Sequence, residues 1–136
     1  MDGVRLAANA ADIGHVVRMV QSLTDAVNGP LECDPAWTGG SVLRLIQSDT
    51  GAVLISDGGF IAGEVVRTII SPVPVAFEHG WFASDRSGLR LLSAFEAWAA
   101  EMGCQMIKMS TAANASGAGK ILRRRGYAPA ELAWVK

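Results

Sequence analysis

The segment from Ser84 to Leu92 has the residue types of an anion-binding site. It reads Ser-Asp-Arg-Ser-Gly-Leu-Arg-Leu-Leu, so small residues lead from an apolar stretch into a run with helical periodicity. Such a junction directs unpaired backbone N–H groups outward at the positive end of a helix dipole. Arginines at a helix start cost up to ~1 kcal/mol, which a bound phosphate would offset at Arg86 and Arg90. The alternative is a solvated surface on which Asp85 neutralises one arginine.

Charge is unevenly distributed along the 136 residues, although the formal net charge is only −1. Residues 1–80 carry nine acids and four bases, whereas residues 81–136 carry four acids and eight bases. The basic half favours a phosphorylated ligand, with a solvated helix face as the alternative. We do not expect nucleic acid as a partner, because the whole chain is slightly acidic and its basic residues are not interleaved with aromatic ones.

Other classes of site lack the residues that they require. Cys33 and Cys104, taken with His15 and His79, show none of the spacings of a zinc site, so we expect free thiols and no metal. Gly117–Lys120 lacks the first glycine and the Mg²⁺-binding hydroxyl of a phosphate-binding P-loop. The N-terminus lacks the layout of a signal peptide, and no apolar run approaches the ~20 residues of a membrane span. We therefore expect a cytoplasmic protein without a membrane partner.

Periodicity in the N-terminal half predicts a strand, two helices and three further strands. The first helix is capped by Asn9 or Asp12 and stopped by Gly29-Pro30. The last three strands form an antiparallel meander, because Asp57-Gly58-Gly59 suits a tight hairpin turn. The strands are predicted at Val4–Ala7, Ala52–Ser56, Phe60–Ile70 and Val75–Ala83, and the second helix at Thr38–Ser48.

Alternation along the last of these strands predicts which side chains share a face. One face carries Ala76, Glu78, Gly80 and Phe82, and the other carries Phe77, His79 and Trp81.

The C-terminal half contains the strongest helical pattern, which follows Asp85-Arg86-Ser87-Gly88 and ends at Gly103. Its apolar stripe consists of Leu91, Leu92, Phe95, Trp98, Ala99 and Met102. A strand at Gln105–Ser110, a helix at Gly117–Arg125 and a closing strand at Leu132–Val135 follow. The predicted order is therefore β-α-α-β-β-β-α-β-α-β.

These motifs resemble the GNAT superfamily of N-acetyltransferases. Trp81–Leu92 is similar to the end of the family's fourth strand, its Arg/Gln-x-x-Gly-x-Gly/Ala loop and its long helix. Glu96–Cys104 and Ala118–Tyr127 resemble the passages that follow. The resemblance implies one α/β (α+β) domain over residues 1–136, with a mixed, mostly antiparallel central sheet and helices on both faces. It implies direct transfer of an acetyl group from acetyl-CoA to a primary amine in a ternary complex.

The resemblance also implies where acetyl-CoA would lie. The backbone N–H groups that would hold its pyrophosphate belong to Arg86, Ser87, Gly88, Leu89 and Arg90. The pantetheine arm would pair like an added strand with the backbone of Trp81, Phe82 and Ala83. Asn114 resembles an asparagine that contacts the arm in many family members.

Glu78 is the candidate general base for removing a proton from the attacking amine, directly or through water. It lies four residues before Phe82 and, by alternation, shares its face. The alternative is a solvated glutamate or one paired with an arginine. His79 points to the opposite face and ranks lower, and Glu64 is a reserve candidate.

Two departures from the family pattern leave a second function open. The loop before the long helix is shorter than usual and keeps one glycine of the pattern, Gly88. Leu122 stands where many members have a tyrosine that acts as general acid for the leaving thiolate. The alternative is a catalytically weak or inactive GNAT-like module for CoA binding or interaction. The high apolar content, together with Trp37, Trp134 and the valine-rich strands, also leads us to expect a homodimer. The acceptor amine is not identified, although Asn28–Gly40 is the segment expected to shape its site.

Overall fold

The computed structural model describes residues 3–114 and 116–136. The chain forms one mixed sheet with helices on both faces. In chain order its elements are β1 (Arg5–Leu6), α1 (Ala10–Val27), α2 (Pro35–Gln47), β2 (Gly51–Ser56), β3 (Gly59–Val66), β4 (Val75–Ala83), α3 (Gly88–Glu101), β5 (Met106–Lys108) and α4 (Ser116–Arg124). None of these helices is long and apolar enough to cross a membrane.

The strands lie in the order β1-β2-β3-β4-β5, so neighbours in the chain are neighbours in the sheet. All pairs are antiparallel except β4 and β5, which run parallel because α3 connects them. This arrangement confirms the predicted fold class.

Two apolar clusters hold the helices against the sheet. One packs α3 against one face and includes Leu54, Ile61, Ala76 and Phe95, all at most 7% exposed. The other packs α1 and α2 against the opposite face and includes Val16, Leu45, Val53, Ile55, Phe60 and Ala62. Burying each valine, leucine, isoleucine or phenylalanine side chain of these clusters contributes roughly 1.5–3 kcal/mol. Packing therefore stabilises the helices against both faces of the sheet.

Capping explains where α1 and α2 begin. Asn9 Oδ1 accepts from the Asp12 backbone N–H at 3.0 Å, so Asn9 rather than Asp12 caps α1. Asp34 Oδ1 accepts from the Trp37 N–H at 3.0 Å, and Pro35 occupies the first helical position. As a result α2 begins three residues before the predicted Thr38.

Three strands are shorter than predicted. β1 comprises only Arg5–Leu6. β3 ends at Val66 rather than Ile70, because its partner β4 begins at Val75 and gives the residues beyond Val66 nothing to pair with. β5 ends at Lys108 rather than Ser110, where the chain diverges from β4.

The predicted closing strand at Leu132–Val135 is wrong. Residues 128–136 form no strand and are exposed throughout. Leu132, Trp134 and Val135 are 78–86% exposed. The alternating residue types favour an extended conformation, but within residues 3–114 and 116–136 no strand pairs with this segment to make it a β-strand.

A β-bulge in β4 changes the predicted faces of that strand. Ala62 pairs with Gly80 and Gly63 with Glu78, so His79 is an additional residue opposite a single step of β3. Ala76 consequently lies on the α3 face together with Trp81, whereas Phe82 packs on the α1 face. The expectation that Glu78 shares the face of Phe82 is therefore wrong. Glu78 is opposite Gly63, which faces Phe95 of α3.

We predict that Gly63→Ala destabilises the protein by roughly 1–3 kcal/mol, because the added methyl group overpacks a filled site. A Cβ there would lie 2.5 Å from the Phe77 carbonyl oxygen and 2.7 Å from the Phe95 ring. Urea unfolding measures the free energy of unfolding.

Gly40→Ala is the matched control. Gly40 lies inside α2, where a Cβ meets nothing within 4 Å, so alanine should stabilise the helix by roughly 0.5–1 kcal/mol. Equal stability changes in the two variants would contradict the close packing inferred at the bulge.

Candidate functional site

The candidate site begins where β4 and β5 separate. The last paired residues are Phe77 and Lys108. Two residues later, the Ser110 backbone N–H donates to Glu78 Oε1 at 2.8 Å, and the Ser110 hydroxyl donates to the same oxygen at 3.2 Å. A side-chain carboxylate thus replaces the main-chain acceptor that a continued strand would have used. The two strands part at this fork, which is held by Glu78.

Beyond the fork, the edge of β4 that faces away from β3 pairs with no strand among the described residues. The Ser84 N–H donates to the Gly58 oxygen at 2.7 Å, and residues of an antiparallel ladder alternate in the side to which their backbone groups point. Phe82 therefore bonds toward β3, whereas the N–H and C=O groups of Trp81 and Ala83 point to the open edge. Of the three residues predicted to pair with an extended ligand, two present their backbones to it.

The Trp81 side chain fixes this edge against α3. Its indole Nε1–H donates to the Gly88 carbonyl oxygen at 3.0 Å. Trp81 and Ala83 both pack against the α3 cluster. The end of β4 and the start of α3 therefore keep a constant spacing, as a ligand that spans both would need.

The loop between β4 and α3 is anchored by a buried chain of hydroxyl groups. Ser87 donates both its backbone N–H, at 2.9 Å, and its hydroxyl to Asp85 Oδ1. The Ser87 oxygen lies 2.7 Å from the Ser56 hydroxyl at the end of β2. An ionised carboxylate only accepts, so Ser56 donates to Ser87 and Ser87 to Asp85. These bonds from Ser87 hold the pKa of Asp85 below its usual value.

This network changes the predicted role of Ser87. Its side chain is fully buried and its N–H is bound to Asp85, so it supports the loop rather than facing a ligand. The first intrahelical bond of α3 joins the Leu91 N–H to the Ser87 oxygen. The N–H groups of Gly88, Leu89 and Arg90 precede that bond and have no intrahelical acceptor.

The side chains around this helix start are accessible to a ligand. Leu89 is 46% exposed, and Arg86 and Arg90 are exposed. Asn114 is also exposed, in the turn before α4. Glu78 lies at the end of the pairing between β4 and β5, and the bond from Trp81 to Gly88 connects the edge of β4 beyond it to the start of α3.

Glu78 is buried with only 5% of its surface exposed. Burial raises the pKa of its carboxyl group above the ordinary value, although the two bonds from Ser110 oppose the shift. Because Oε1 accepts both of those bonds, Oε2 is the oxygen that remains for a reacting group. A carboxylate of this kind is a stronger base than a solvated glutamate.

A second ionisable cluster lies on the opposite face of β4. His79 Nε2 donates to Glu64 Oε2 at 2.5 Å, and Arg44 Nη2 of α2 is 3.2 Å from the same oxygen. The Arg44 guanidinium, with a smaller contribution from His79, lowers the pKa of Glu64. No local pattern in the sequence indicates Arg44, because only the tertiary packing of α2 against β3 brings it to Glu64.

A packing residue occupies the position at which the family pattern has a tyrosine that acts as general acid. Leu122 is half-buried against the α3 cluster. The Tyr127 hydroxyl donates to Glu96 Oε2 at 2.9 Å, and Arg125 is paired with the other oxygen of Glu96. Burial and the bond to Glu96 raise the pKa of Tyr127. Tyr127 is thus committed to a structural contact.

The described residues gather no three His, Cys, Asp or Glu side chains that would suit a metal ion. Cys33 and Cys104 are free and half-buried. Burial raises the pKa of the Cys104 thiol, which makes it a weaker nucleophile at neutral pH.

Neither a protein-family model nor a curated protein matches the sequence. Solved structures match the fold. The aminoglycoside N-acetyltransferase AAC(6′)-Iy in complex with CoA is 17% identical, with a TM-score of 0.72 over 98% of this chain and 91% of that chain. The aminoglycoside antibiotic 6′-N-acetyltransferase AAC(6′)-IG from Acinetobacter haemolyticus is 17% identical, with a TM-score of 0.70 over 98% and 95%.

A transcriptional regulator from Bacillus halodurans C-125 has the same fold, with 15% identity and a TM-score of 0.75 over 98% of this chain and 97% of that chain. Proteins named for different activities therefore share this architecture. At these identities the likeness establishes the fold, and the chain has the fold of the GNAT acetyltransferases.

We predict that Glu78→Gln changes how stability depends on pH. A raised pKa in the folded state means that the folded protein holds a proton at pH values where the unfolded chain has already lost it. The free energy of unfolding therefore falls between the unfolded value of about 4.3 and the raised folded value. Glutamine keeps an oxygen for the Ser110 N–H but does not titrate.

The stability of the parent protein relative to the Gln variant should consequently decline across that window and then level off. Urea unfolding of both proteins from pH about 4 to about 9 measures this difference, in which the titrations common to both proteins cancel. A difference that stays constant with pH would show that Glu78 titrates normally.

Proposed function

We propose that this protein is a member of the GNAT superfamily that binds acetyl-CoA and transfers its acetyl group to a primary amine. The observation that carries the proposal is the open edge of β4, which runs from Glu78 at the fork toward the start of α3, where the first N–H groups have no intrahelical acceptor. The fold that the chain shares with CoA-binding N-acetyltransferases supports it.

The residues present fit the parts of acetyl-CoA. The N–H groups of Gly88, Leu89 and Arg90 suit the pyrophosphate, since a helix N-terminus attracts anions, and the exposed Arg86 adds positive charge. The pantetheine arm contains amide groups that pair with the outward N–H and C=O groups of Trp81 and Ala83. Asn114 is assigned to the arm by resemblance to the family.

The thioester supplies an activated acetyl group, and the chain's own residues orient it and remove a proton. The amine nitrogen bonds to the acetyl carbonyl carbon, the C–S bond breaks, and the thiolate of CoA leaves. We assign the removal of the amine proton to Oε2 of Glu78, directly or through a water molecule. Glu78 suits this role better than Glu64, because burial raises its pKa while Arg44 lowers that of Glu64.

A second candidate function is supported by the residue at position 122. Leu122 cannot protonate the leaving thiolate, and the nearby Tyr127 is held by Glu96. A module that binds CoA but transfers acetyl groups slowly or not at all is consistent with this arrangement. In the first function, water must protonate the thiolate.

Leu89→Glu should weaken CoA binding at least about tenfold, because two like charges placed side by side repel each other. The new carboxylate would lie where the pyrophosphate is proposed to bind, whereas in the free protein an acid in the first turn is favourable to the helix dipole. Titration calorimetry with CoA measures the dissociation constant, and thermal unfolding shows that the fold is intact.

Leu89→Gln is the matched control, since it has the same shape without the charge. Its affinity should stay close to that of the parent, and the loss in the Glu variant should shrink as salt is added. No detectable CoA binding by the parent protein at millimolar ligand would overturn the proposed function, and equal affinities of the two variants would overturn the placement of the pyrophosphate.

Glu78→Gln should lower kcat/KM for acetyl transfer about 10²- to 10⁴-fold, which is the typical contribution of a general base. The parent activity should rise with pH as the carboxyl group ionises, with an apparent pKa above that of an ordinary glutamate. Release of the CoA thiol with a panel of primary amines measures the rate, and calorimetry checks that CoA binding is retained.

Glu64→Gln distinguishes the two candidate carboxylates. A larger loss in this variant than in Glu78→Gln would move the base to the opposite face of β4. Binding of CoA without turnover on any amine, in the parent protein as well, would favour the non-transferring module.

A further inference from the structure

Ser87 is the N-cap residue of α3, yet its side chain does not cap the helix. A serine at this position ordinarily accepts from the backbone N–H of the second or third helical residue, here Leu89 or Arg90. Within the described residues Ser87 makes no such side-chain bond, and its φ of −85° and ψ of −3° lie outside the extended conformation typical of a cap. A residue type suited to capping is therefore present but is not used as a cap.

The helices α1 and α2 are capped in the ordinary way. Asn9 has φ −135° and ψ 178°, and its side chain accepts from the Asp12 N–H. Asp34 has φ −98° and ψ 108°, and its side chain accepts from the Trp37 N–H. In both helices the cap residue is extended and satisfies one of the N–H groups that a helix start leaves without an intrahelical acceptor. The cap residue of α3 does neither.

The Ser87 hydroxyl is held on the side of β2 instead. It accepts from the Ser56 hydroxyl at 2.7 Å and donates in turn to Asp85 Oδ1. Both serines are buried, Ser56 with 6% of its surface exposed and Ser87 with none. A buried hydroxyl that loses its partner carries a desolvation cost. The bond from Ser56 therefore opposes any turn of the Ser87 side chain toward α3.

The turn between β2 and β3 fixes Ser56 relative to the loop. Ser56 is the last residue of β2. The carbonyl oxygen of Gly58 accepts from the backbone N–H of Ser84 at 2.7 Å and from its hydroxyl at 3.0 Å. A Cβ on Gly58 would lie 2.5 Å from the Asp85 carboxyl group, so glycine lets the loop lie directly against the turn. Ser56 thus reaches Ser87 from a turn that is bound to the same loop at a second point.

We propose that Ser56 is a positioning residue for acetyl-CoA, because it holds the Ser87 hydroxyl away from α3 and leaves the first-turn N–H groups to the pyrophosphate. This role rests on the proposed function and acts through Ser87. A self-capped α3 would satisfy one of the same donors with the serine oxygen, and the ligand would have to displace that oxygen before it could bind. Local rules such as capping are broken in proteins chiefly at functional sites.

Ser56→Ala should weaken CoA binding about fivefold, which is the equilibrium factor of a helix cap of ordinary strength. Without the Ser56 hydroxyl, the Ser87 oxygen turns to the second or third helical N–H and competes with the pyrophosphate. KM for acetyl-CoA should rise by the same factor while kcat stays close to that of the parent, because the bonded chain does not include Glu78. Titration calorimetry and thiol release measure these quantities. Ser56→Thr keeps the hydroxyl and should bind CoA like the parent.

The double variant Ser56→Ala/Ser87→Ala separates this role from general support of the loop. It has no hydroxyl at position 87 that could cap α3, so its affinity for CoA should be higher than that of Ser56→Ala and return toward that of the parent. If Ser56 only stiffened the loop, the second substitution would weaken binding further, and that result would overturn the proposal. Circular dichroism and thermal unfolding check that each variant is folded.

Hydrogen exchange in the ligand-free proteins tests the same step without CoA. In Ser56→Ala one of the first-turn amides of α3 should exchange about fivefold more slowly than in the parent, because it gains the Ser87 oxygen as an acceptor. A loosened loop would accelerate this exchange, and unchanged or faster exchange would overturn the proposal.

The binding data distinguish failure of this role from failure of the proposed function. Equal CoA affinities of the parent and Ser56→Ala would overturn the role of Ser56 and leave the function intact. A parent protein that binds no CoA at millimolar ligand would overturn the function, and the role of Ser56 with it.

Discussion

The bond between the Glu78 carboxylate and Ser110 is the contact on which the geometry of the site depends. It sits where β4 and β5 stop pairing and replaces the main-chain bond that would have kept them together. Without it, either the strands would continue as a ladder and close the edge of β4, or Ser110 would lose its acceptor. The position of Glu78 at the fork also buries its carboxylate, and this burial raises the pKa of the group although the bonds from Ser110 oppose the shift.

The start of α3 depends on a different kind of constraint. Asp85 accepts from the backbone and the hydroxyl of Ser87, and Ser56 continues this chain of bonds to β2. Gly58 allows the close approach, since a Cβ there would lie 2.5 Å from the Asp85 carboxyl group. A rigid loop costs less entropy when a ligand binds than one that must first become ordered. The three N–H groups that follow Ser87 are held in place before any ligand arrives.

Much of the fold follows from local sequence pattern. Val75–Ala83 matches β4 at both ends, because proline precedes it and small polar residues follow it. The amphipathic stripe of α3 was equally clear, and its Leu91, Leu92 and Phe95 are fully buried. The strand-to-helix junction at Ser84–Leu92 also predicted a binding segment, and this segment follows the open edge of β4 in the structure.

Other features depend on tertiary contacts and leave no local signal. An inserted residue such as His79 does not alter composition, so simple alternation gave Phe82 and Glu78 the same face. The predicted strand at Leu132–Val135 had suitable residue types, but it has no partner strand among the described residues. The occupation of the Ser87 N–H by Asp85 depends on a loop conformation that neither residue type specifies alone.

The bulge at His79 also bears on how this sequence can change. Ala62 and Gly63 pair with Gly80 and Glu78, so His79 stands outside the regular pairing of β3 with β4. Loss of that one residue would restore regular alternation and leave Glu78 and Trp81 on the same face of β4. In evolutionary terms, position 79 is free to vary or to be lost at the expense of the ion pair with Glu64, without separating the Glu78 carboxylate from the edge that it serves.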